Sequence, residues 1–440
     1  MKYYSTNKQV PLSSLKDAVL KGLADDNGLY MPEQIPQLSK EFFATIQTKT
    51  LQEISLEVAT ALFGEDVDAS SLRSIVYDTL SFDIPLVKVT DDIYSLELFH
   101  GPTLAFKDVG ARFLSRMMQH FTRDEPEQSG ARRSQKREAN VLVATSGDTG
   151  SAVANGFLGV DGIMVTVLYP KGLVSKIQES QFTTLGKNVR ALEVDGTFDD
   201  CQRLVKQAFL DKELNRRLTL TSANSINLAR FIPQAFYYFW GYAQMPKDSE
   251  VVASVPSGNF GNLMAGLLAK RMGLPIKHFV AANNANDVFL KYLQTASFSP
   301  RPSIATIANA MDVGNPSNFA RIMDLYNGDH AKVVADISGY RYGDAQIAEV
   351  MKRVFTEVKY MLDPHGACAY EGLREQLQSD KPAKGFFIET AHPAKFKETV
   401  DEILGADIAI PEKLQAFMKG QKQTIPMSAC FEDFKTYLLG

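Results

Sequence analysis

From about residue 90 onward, short runs of β-branched and apolar residues alternate with segments whose apolar residues recur at helical spacing. This alternation is typical of parallel sheets covered by helices. It leaves three arrangements open, namely one open sheet, two α/β domains or a closed barrel. We predict strands over residues 94–99, 141–145, 163–168, 189–194, 218–221, 251–255, 276–281 and 385–390. We predict helices over residues 109–121, 150–158, 174–185, 198–210, 227–242, 261–272 and 343–361.

The chain before this alternation has mostly helical patterns separated by turns that Pro and Gly mark. The polar stretch 122–140 mixes basic and acidic residues and is predicted to be a solvated loop. We expect an accessory region, a first α/β domain and a second α/β domain that contains an insertion, with a peripheral segment from Pro411 onward. The predicted bounds are 1–88 for the accessory region (helices over 15–22, 41–63 and 71–80), 89–225 for the first domain, 226–440 for the second domain and 283–336 for the insertion.

Composition excludes several classes of protein. The 440 residues are 45% hydrophobic and 22% charged, with a net charge of −4, so nothing draws the whole molecule to nucleic acid or anionic membranes. No apolar run reaches the roughly 18 residues of a membrane span, and the first residues lack the apolar core of a signal peptide. Three widely spaced cysteines form no disulfide framework or metal motif, so we expect a cytoplasmic protein without a metal site.

Lys107 lies where a predicted strand leads into a predicted helix, within the stretch from His100 to Asp108. The carboxylate of Asp108 can cap the helix. Apolar surroundings lower the pKa of a lysine amine, which suits such a residue to Schiff-base chemistry. A lysine taken alone is more often a solvated surface group. Its significance therefore depends on the other motifs in the chain.

Two glycine-rich turns follow predicted strands and precede predicted helices, where backbone N–H groups can bind an anion. The first runs from Thr145 to Gly150, and its Asp148 can accept a hydrogen bond from a ligand hydroxyl. The second runs from Ser257 to Asn262. Neither has the Gly-Lys of a P-loop or the three-glycine spacing of a dinucleotide site. Each turn alone could be a tight turn that needs glycine, but two such turns and Lys107 together indicate a ligand site.

Two further segments carry candidate functional groups. Asn224 and Ser225 are natural N-cap residues, and Arg230, two turns further along the chain, can reach a phosphate at the helix start. Thr390 ends a late strand and can place a hydroxyl beneath a bound ring. His392 precedes a proline, and we interpret it as a structural residue. No histidine or acidic cluster has zinc-ligand spacing.

Together, these motifs and the segment Met311–Phe319 resemble the longer bacterial and fungal threonine synthases. The resemblance extends from the loop Gly28–Pro32 to the turn Glu389–Pro393, nearly the whole chain. It implies two parallel-sheet α/β domains of the tryptophan synthase β kind (fold type II), with a mostly helical N-terminal extension. It also implies pyridoxal phosphate as cofactor and a lyase that converts O-phospho-L-homoserine and water to L-threonine and phosphate.

The resemblance assigns roles to residues of this sequence. Lys107 would form the Schiff base with the cofactor and act as the catalytic base. Thr390 would meet the pyridine nitrogen, and Asp148, where related enzymes commonly have Asn, would lie near the ring hydroxyl. Turn residues Ser257, Gly258, Asn259, Phe260, Gly261 and Asn262 would hold the cofactor phosphate. The substrate carboxylate would contact Thr145, Ser146 and Thr149, and the substrate phosphate Asn224, Ser225 and Arg230.

Other functions share these motifs. A phospho-lyase would release 2-oxobutyrate and phosphate from the same substrate, since the early steps coincide. A serine or threonine dehydratase fits less well, because it needs no second anion site near Arg230. A non-catalytic relative would keep the fold without turnover. We expect a small phosphorylated amino acid as the partner, no nucleic acid or membrane partner, and a monomer.

Overall fold

The computed structural model describes residues 1–123, 139–379 and 382–440, so most of the predicted loop 122–140 lies outside the described residues. The strands in chain order are β1 Tyr3–Ser5, β2 Tyr30–Pro32, β3 Leu86–Lys88, β4 Ile93–Glu97, β5 Ala139–Ala144, β6 Ile163–Pro170, β7 Val189–Asp195, β8 Thr219–Ser222, β9 Val251–Pro256, β10 Ile276–Asn283, β11 Ile337–Arg341, β12 Lys384–Glu389 and β13 Ile425–Ser428.

The α-helices are also numbered in chain order. They are α1 Leu15–Lys21, α2 Lys40–Thr45, α3 Leu51–Phe63, α4 Ala69–Thr79, α5 Lys107–Arg123, α6 Asp148–Gly156, α7 Lys176–Thr183, α8 Phe198–Leu210, α9 Lys212–Arg217, α10 Leu228–Phe231, α11 Ala235–Gln244, α12 Gly261–Arg271, α13 Val288–Thr295, α14 Phe319–Leu325, α15 His330–Asp336, α16 Asp344–Val358, α17 Pro364–Ser379, α18 Lys397–Leu404, α19 Glu412–Met418 and α20 Phe431–Leu439. Among the helices of the described residues, none is long and apolar enough to cross a membrane.

The chain forms two compact units built from interleaved segments. Unit 1 contains residue 1, residues 31–106 and residues 231–409, and unit 2 contains residues 2–30, 107–230 and 410–440. The predicted boundaries at 88 and 225 instead cut the chain into consecutive segments, and they stay a prediction.

Unit 1 contains a six-stranded sheet with the order β11-β10-β9-β12-β4-β3. Its strands are parallel except for β3, which runs antiparallel to β4 at one edge. The central strand β9 is buried along its whole length, as expected for a parallel strand covered on both faces. The strand ends at Pro256 and Glu389 therefore lie on the same edge of this sheet and lead into the turns that carry the candidate residues.

Unit 2 contains a five-stranded parallel sheet with the order β13-β7-β6-β5-β8. One side is covered by α8, whose buried Cys201, Leu204 and Ala208 belong to one apolar cluster with Leu142 and Leu192 of the sheet. The parallel sheets and helices confirm the predicted fold class and exclude a closed barrel or one continuous sheet. The segment after Pro411 was predicted to be peripheral, but β13 extends this sheet.

Some predicted elements have different bounds in the structure. The helix predicted over 41–63 is two helices, because Thr50 and Glu53 form a capping box that starts a new one. The helix predicted over 227–242 is interrupted by a single 3₁₀ turn at Ile232–Gln234 that contains Pro233. The sequence prediction missed β11 and α17.

Candidate active site

The backbone that leads into Lys107 is fixed to the strand end that carries Thr390. Lys107 is the first residue of α5, so the helix starts two residues before its predicted start at 109. Phe106 N donates to Thr390 O at 2.8 Å, and His392 N donates to Leu104 O at 3.1 Å. Leu104 has a φ of 55°, which is costly for a residue with a Cβ and is stabilised here by this pairing. The conformation before Lys107 is thus determined by residues distant in sequence.

Arg230 packs against the helix that begins at Lys107. A Cβ atom added to Gly110, one helical turn after Lys107, would lie 2.7 Å from Arg230 O and 3.2 Å from Arg230 Nε. Arg230 is only 3% exposed, and its Nη1 donates to Ala223 O at 2.7 Å. Since arginine keeps its charge at all ordinary pH values, this arrangement holds a buried cation beside α5.

The helix start near Arg230 differs from the prediction. Its cap is Asn227, whose Oδ1 accepts from Ala229 N at 3.0 Å, and not Asn224 or Ser225. Arg230 lies in the first turn of the four-residue α10 rather than two turns inside a helix. Asn224 and Ser225 are half-buried in the turn before this cap.

Asn227 also connects this turn to the N-terminal region. Its Nδ2 donates to Val19 O at 2.9 Å, and Gly22 lies so close that an added Cβ would be 3.0 Å from the same nitrogen. The N-terminal helix α1, which was predicted to belong to the accessory region, therefore supports the segment that carries Arg230.

The first glycine-rich turn closes on Thr145. Thr145 Oγ1 accepts from Gly147 N at 2.9 Å and from Gly150 N at 2.8 Å. This hydroxyl therefore organises the turn and has only its own proton left to offer a carboxylate. Ser146 and Thr149 are half-buried at the same helix start. The turn thus places hydroxyls and backbone N–H groups together at the N-terminus of α6.

Asp148 is held by Gln178, which the sequence analysis missed. Gln178 Nε2 donates to Asp148 Oδ1 at 2.9 Å, and both side chains are buried. Gly147 has a φ of 143°, and a Cβ at this position would lie 2.6 Å from the Gln178 carboxamide. Ser175 and Gln178 have capping-box spacing in the sequence, which indicates the start of α7 but not the direction of the glutamine side chain.

The second glycine-rich turn lies between β9 and α12. Phe260 at the N-cap of this 11-residue helix has a φ of 60°, and its side chain forms no cap hydrogen bond, so within the described residues the cap position leaves the first N–H groups to other acceptors. Ser257 N donates to Ala282 O at 2.8 Å on the neighbouring strand. Asn259 Oδ1 accepts from Ser317 N at 2.6 Å, and Asn259 O accepts from Asn318 Nδ2 at 3.0 Å. The turn is rigidly supported and presents backbone donors.

Asn262 provides a test of whether an anion fits this turn. Its side chain is 7% exposed, and its Oδ1 accepts from Tyr238 Oη. Its Nδ2 is buried and, among the described residues, has no hydrogen-bond partner. A buried donor without a partner costs about 1–3 kcal/mol, which a bound phosphate oxygen would recover. The residues present therefore fit the phosphate group of a cofactor.

His392 has a structural role, as the sequence predicted. Its Nδ1 accepts from Ala394 N at 3.1 Å and caps a 3₁₀ turn. Burial and the neighbouring His100 lower the pKa of His392 to about 4, so the ring is neutral at pH 7. The sequence analysis missed two other buried residues, Asp363 and His365, which have no recognised motif. Within the described residues, no group of three or more His, Cys, Asp or Glu side chains forms a possible metal site.

The predicted site residues divide between the two units. Unit 2 places Lys107 and Arg230 on adjacent elements and also contains the first glycine-rich turn, Asn224 and Ser225. Unit 1 contains the second glycine-rich turn and Thr390. The roles of these residues remain predictions.

Three family models match the chain. The model for pyridoxal-phosphate-dependent enzymes matches residues 85–386, the threonine synthase N-terminus matches residues 2–80, and the threonine synthase C-terminus matches residues 366–438. A threonine synthase of Haemophilus influenzae is 42% identical over 441 residues and covers 100% of both chains.

Solved structures give the same result. The crystal structure of threonine synthase from Escherichia coli has a TM-score of 0.91 and 39% identity, covering 100% of this chain and 99% of that one. Threonine synthase from Brucella melitensis with bound pyridoxal phosphate has a TM-score of 0.91 and 34% identity, covering 100% and 98%. These matches confirm the resemblance, the fold class and the cofactor predicted from the sequence. The chain therefore belongs to the threonine synthases, a family of pyridoxal-phosphate-dependent enzymes.

Proposed function

We propose that this enzyme converts O-phospho-L-homoserine and water to L-threonine and inorganic phosphate. The observation that carries the proposal is the contact between Gly110 and Arg230, which places a buried cation one helical turn from Lys107. The turn Ser257–Asn262, here called the phosphate turn, offers anion-binding groups for the cofactor, and we assign Arg230 to a phosphate on the substrate. A dehydratase substrate carries no such phosphate.

Pyridoxal phosphate, when bound, supplies a conjugated system that absorbs negative charge from the substrate carbons. We assign its phosphate to Ser257–Asn262, because of the uncapped helix start and the buried Asn262 donor. We assign the ring hydroxyl to Asp148 and the pyridine nitrogen to Thr390. A hydroxyl partner such as Thr390 does not favour protonation of that nitrogen as a carboxylate would, which disfavours transamination.

Lys107 performs the proton transfers in this proposal. Its Nζ takes the proton from the substrate Cα, and removal of a Cβ proton then places negative charge next to Cγ. Phosphate leaves from Cγ while Arg230 stabilises its charge with a planar pair of donors. The proton removed from Cβ is returned at Cγ, which becomes the methyl carbon of threonine. Water then adds its hydroxyl at Cβ and gives its other proton to the released phosphate, and Lys107 returns the proton at Cα. The hydroxyls of Thr145, Ser146 and Thr149 bind the substrate carboxylate, and Asn224 and Ser225 contact the phosphate with Arg230.

We further propose that the enzyme is a cytoplasmic monomer. We also propose that residues 1–88 form an accessory region, residues 89–225 the first α/β domain and residues 226–440 the second α/β domain.

The decisive experiment is a visible absorbance spectrum of the purified protein before and after addition of O-phospho-L-homoserine, with identification of the product. Threonine and phosphate in equal amounts support the proposal. Release of 2-oxobutyrate would instead identify a phospho-lyase, and a protein without cofactor absorbance would be a non-catalytic relative. Lys107→Ala should lose the cofactor absorbance band and turnover. Full turnover in that variant would refute the assignment of Lys107.

Arg230→Ala separates the two proposed phosphate sites. We expect a strong rise in KM for O-phospho-L-homoserine, because the substrate phosphate loses its charged partner, with cofactor affinity unchanged. Loss of the cofactor in this variant would move Arg230 to the cofactor-phosphate site.

A further inference from the structure

A buried carboxylate lies directly behind the strand end that carries Thr390. Asp363 is fully buried immediately before α17. Its Oδ2 accepts from the N–H of Ala391, the residue after Thr390, at 3.3 Å, and its own N–H donates to Glu389 Oε1 at 2.7 Å. Asp363 is therefore bonded to the residues on both sides of Thr390.

The same carboxylate is bonded to a buried histidine. His365 Nδ1 lies 2.6 Å from Asp363 Oδ1, and His365 Nε2 lies 3.1 Å from the backbone N of Ala310. A backbone N–H can only donate, so Nε2 is the acceptor and the ring proton is on Nδ1, directed at Asp363. His365 is only 2% exposed, which keeps water from competing for these bonds.

Ala310 belongs to the 3₁₀ turn Asn309–Met311, which lies against the phosphate turn. A Cβ added to Gly258 would lie 2.9 Å from Ala310 O and 2.9 Å from Met311 Cα. Both neighbours are backbone atoms, so this contact leaves no room for a side chain. A displacement of the Asn309–Met311 turn would therefore change the surface on which Gly258 rests.

Glu389 does not compete with Asp363 for the histidine. Burial and the charge of Asp363 raise the pKa of Glu389 well above its usual range. Its second oxygen points at Gly366, where an added Cβ would be only 1.6 Å away. The His365 ring proton on Nδ1 is therefore directed at Asp363 and not at Glu389.

We propose that Asp363 and His365 are positioning residues that set the spacing between Thr390 and Gly258, and hence between the two ends of the bound cofactor. The continuous path runs from Ala391 through Asp363 and His365 to Ala310, and every bond in it lies within unit 1. The inference rests on the proposed function, because it takes Thr390 and Gly258 as cofactor contacts.

The test compares two ligands on full-length protein stripped of cofactor. Pyridoxal phosphate uses both ends of the site, whereas pyridoxal lacks the phosphate and does not use Gly258. For His365→Ala we expect affinity for pyridoxal phosphate, measured by fluorescence titration, to fall about tenfold, as loss of one buried acceptor predicts. Affinity for pyridoxal should change less than about threefold, because pyridoxal uses the Thr390 end of the site and not Gly258, which rests on the turn that loses its bond to His365.

Two further variants make the test specific. His365→Gln can place an amide oxygen near the position of Nε2 and should restore most of the affinity for pyridoxal phosphate. His330→Ala is the matched control, because His330 also bonds the backbone of unit 1, at Leu293 O (2.9 Å), but not next to Gly258. This control should bind both ligands as the wild type does. If His365→Ala does not fold, His365→Phe, which fills the space without an acceptor, carries the same expectation.

Equal losses for both ligands, or unchanged affinity for pyridoxal phosphate in a folded His365 variant, would overturn the positioning role alone. Failure of the wild-type protein to bind pyridoxal phosphate would refute the proposed function and this inference together. The two failures are therefore distinguishable.

Discussion

Replacing Gly110 with alanine tests whether Arg230 is placed by the helix that begins at Lys107. The added Cβ would lie 2.7 Å from Arg230 O, whereas ordinary van der Waals contact begins at 3.4 Å. The neighbour is backbone and cannot rotate away, so either α5 or the α10 turn must move. Such overpacking costs about 1–3 kcal/mol, and the better helix propensity of alanine returns about 1 kcal/mol.

We therefore expect Gly110→Ala to fold, with a loss of at most about 2 kcal/mol in the free energy of unfolding. Hydrogen bonds between a guanidinium and a phosphate contribute about 1.5–3 kcal/mol, so a displaced Arg230 should raise KM for O-phospho-L-homoserine by roughly tenfold to a hundredfold. The assay is steady-state phosphate release, accompanied by a titration of cofactor affinity, which should stay near the wild-type value.

The matched control is Gly372→Ala in α17. The three atoms nearest to the added Cβ all belong to side chains, and the closest is Val280 Cγ1 at 3.0 Å. This control should have the wild-type KM for O-phospho-L-homoserine, while its free energy of unfolding changes by an amount similar to that of Gly110→Ala. A folded Gly110→Ala enzyme with wild-type KM would refute the idea that this contact places Arg230 for the substrate.

Three further outcomes are expected. Gln178→Ala removes the N–H donor to Asp148 and should weaken cofactor binding by about tenfold in an apoprotein titration, whereas unchanged binding would remove Asp148 from the cofactor site. Asn227→Ala removes the cap of α10 and should lower the free energy of unfolding, measured in urea, by about 1 kcal/mol. The same variant should have a higher KM for the phosphorylated substrate, and a wild-type KM would contradict the idea that this cap positions Arg230. Burial lowers the pKa of His392 to about 4, whereas the pKa in the unfolded chain is near 6.5. Between these two pH values the unfolded state binds more protons than the folded state, so the free energy of unfolding falls as the pH is lowered. His392→Asn, which can keep the cap, should remove up to about 3 kcal/mol of the stability lost between pH 7 and pH 4, and identical urea curves for both proteins across this range would contradict the reasoning.

Local signals predicted much of the fold. The helix over 198–210 has the same bounds in sequence and structure, because Thr197 and Asp200 form a capping box at its start. The strands before both glycine-rich turns were also predicted, since buried parallel strands are continuous apolar runs. The division of the strands into two sheets was not predicted, because which strands pair depends on contacts between distant residues.

For the candidate site, the sequence predicted residues that belong to motifs but not residues that act through distant partners. Motifs indicated Lys107 and the two glycine-rich turns as candidates, because the chemistry proposed for them needs particular residue types at short spacing. Gln178, Asp363 and His365 were missed because each acts through a partner far away in sequence, and a lone buried polar residue has no sequence signature. The cap at Asn227 was missed because Asn224 and Ser225 are equally good cap formers, and packing against α1 decides between them.

The interleaving of the two units has a consequence for synthesis of the chain. The edge strand β13 is formed by Ile425–Ser428 and pairs with β7, which was made more than two hundred residues earlier. Until residues 425–428 have left the ribosome, the N–H and C=O groups on that side of β7 lack their partner strand. An exposed strand edge invites pairing with another chain, so nascent or truncated forms ending before residue 425 should aggregate through β7. Strand β13 thus protects the edge of β7 during synthesis of the chain.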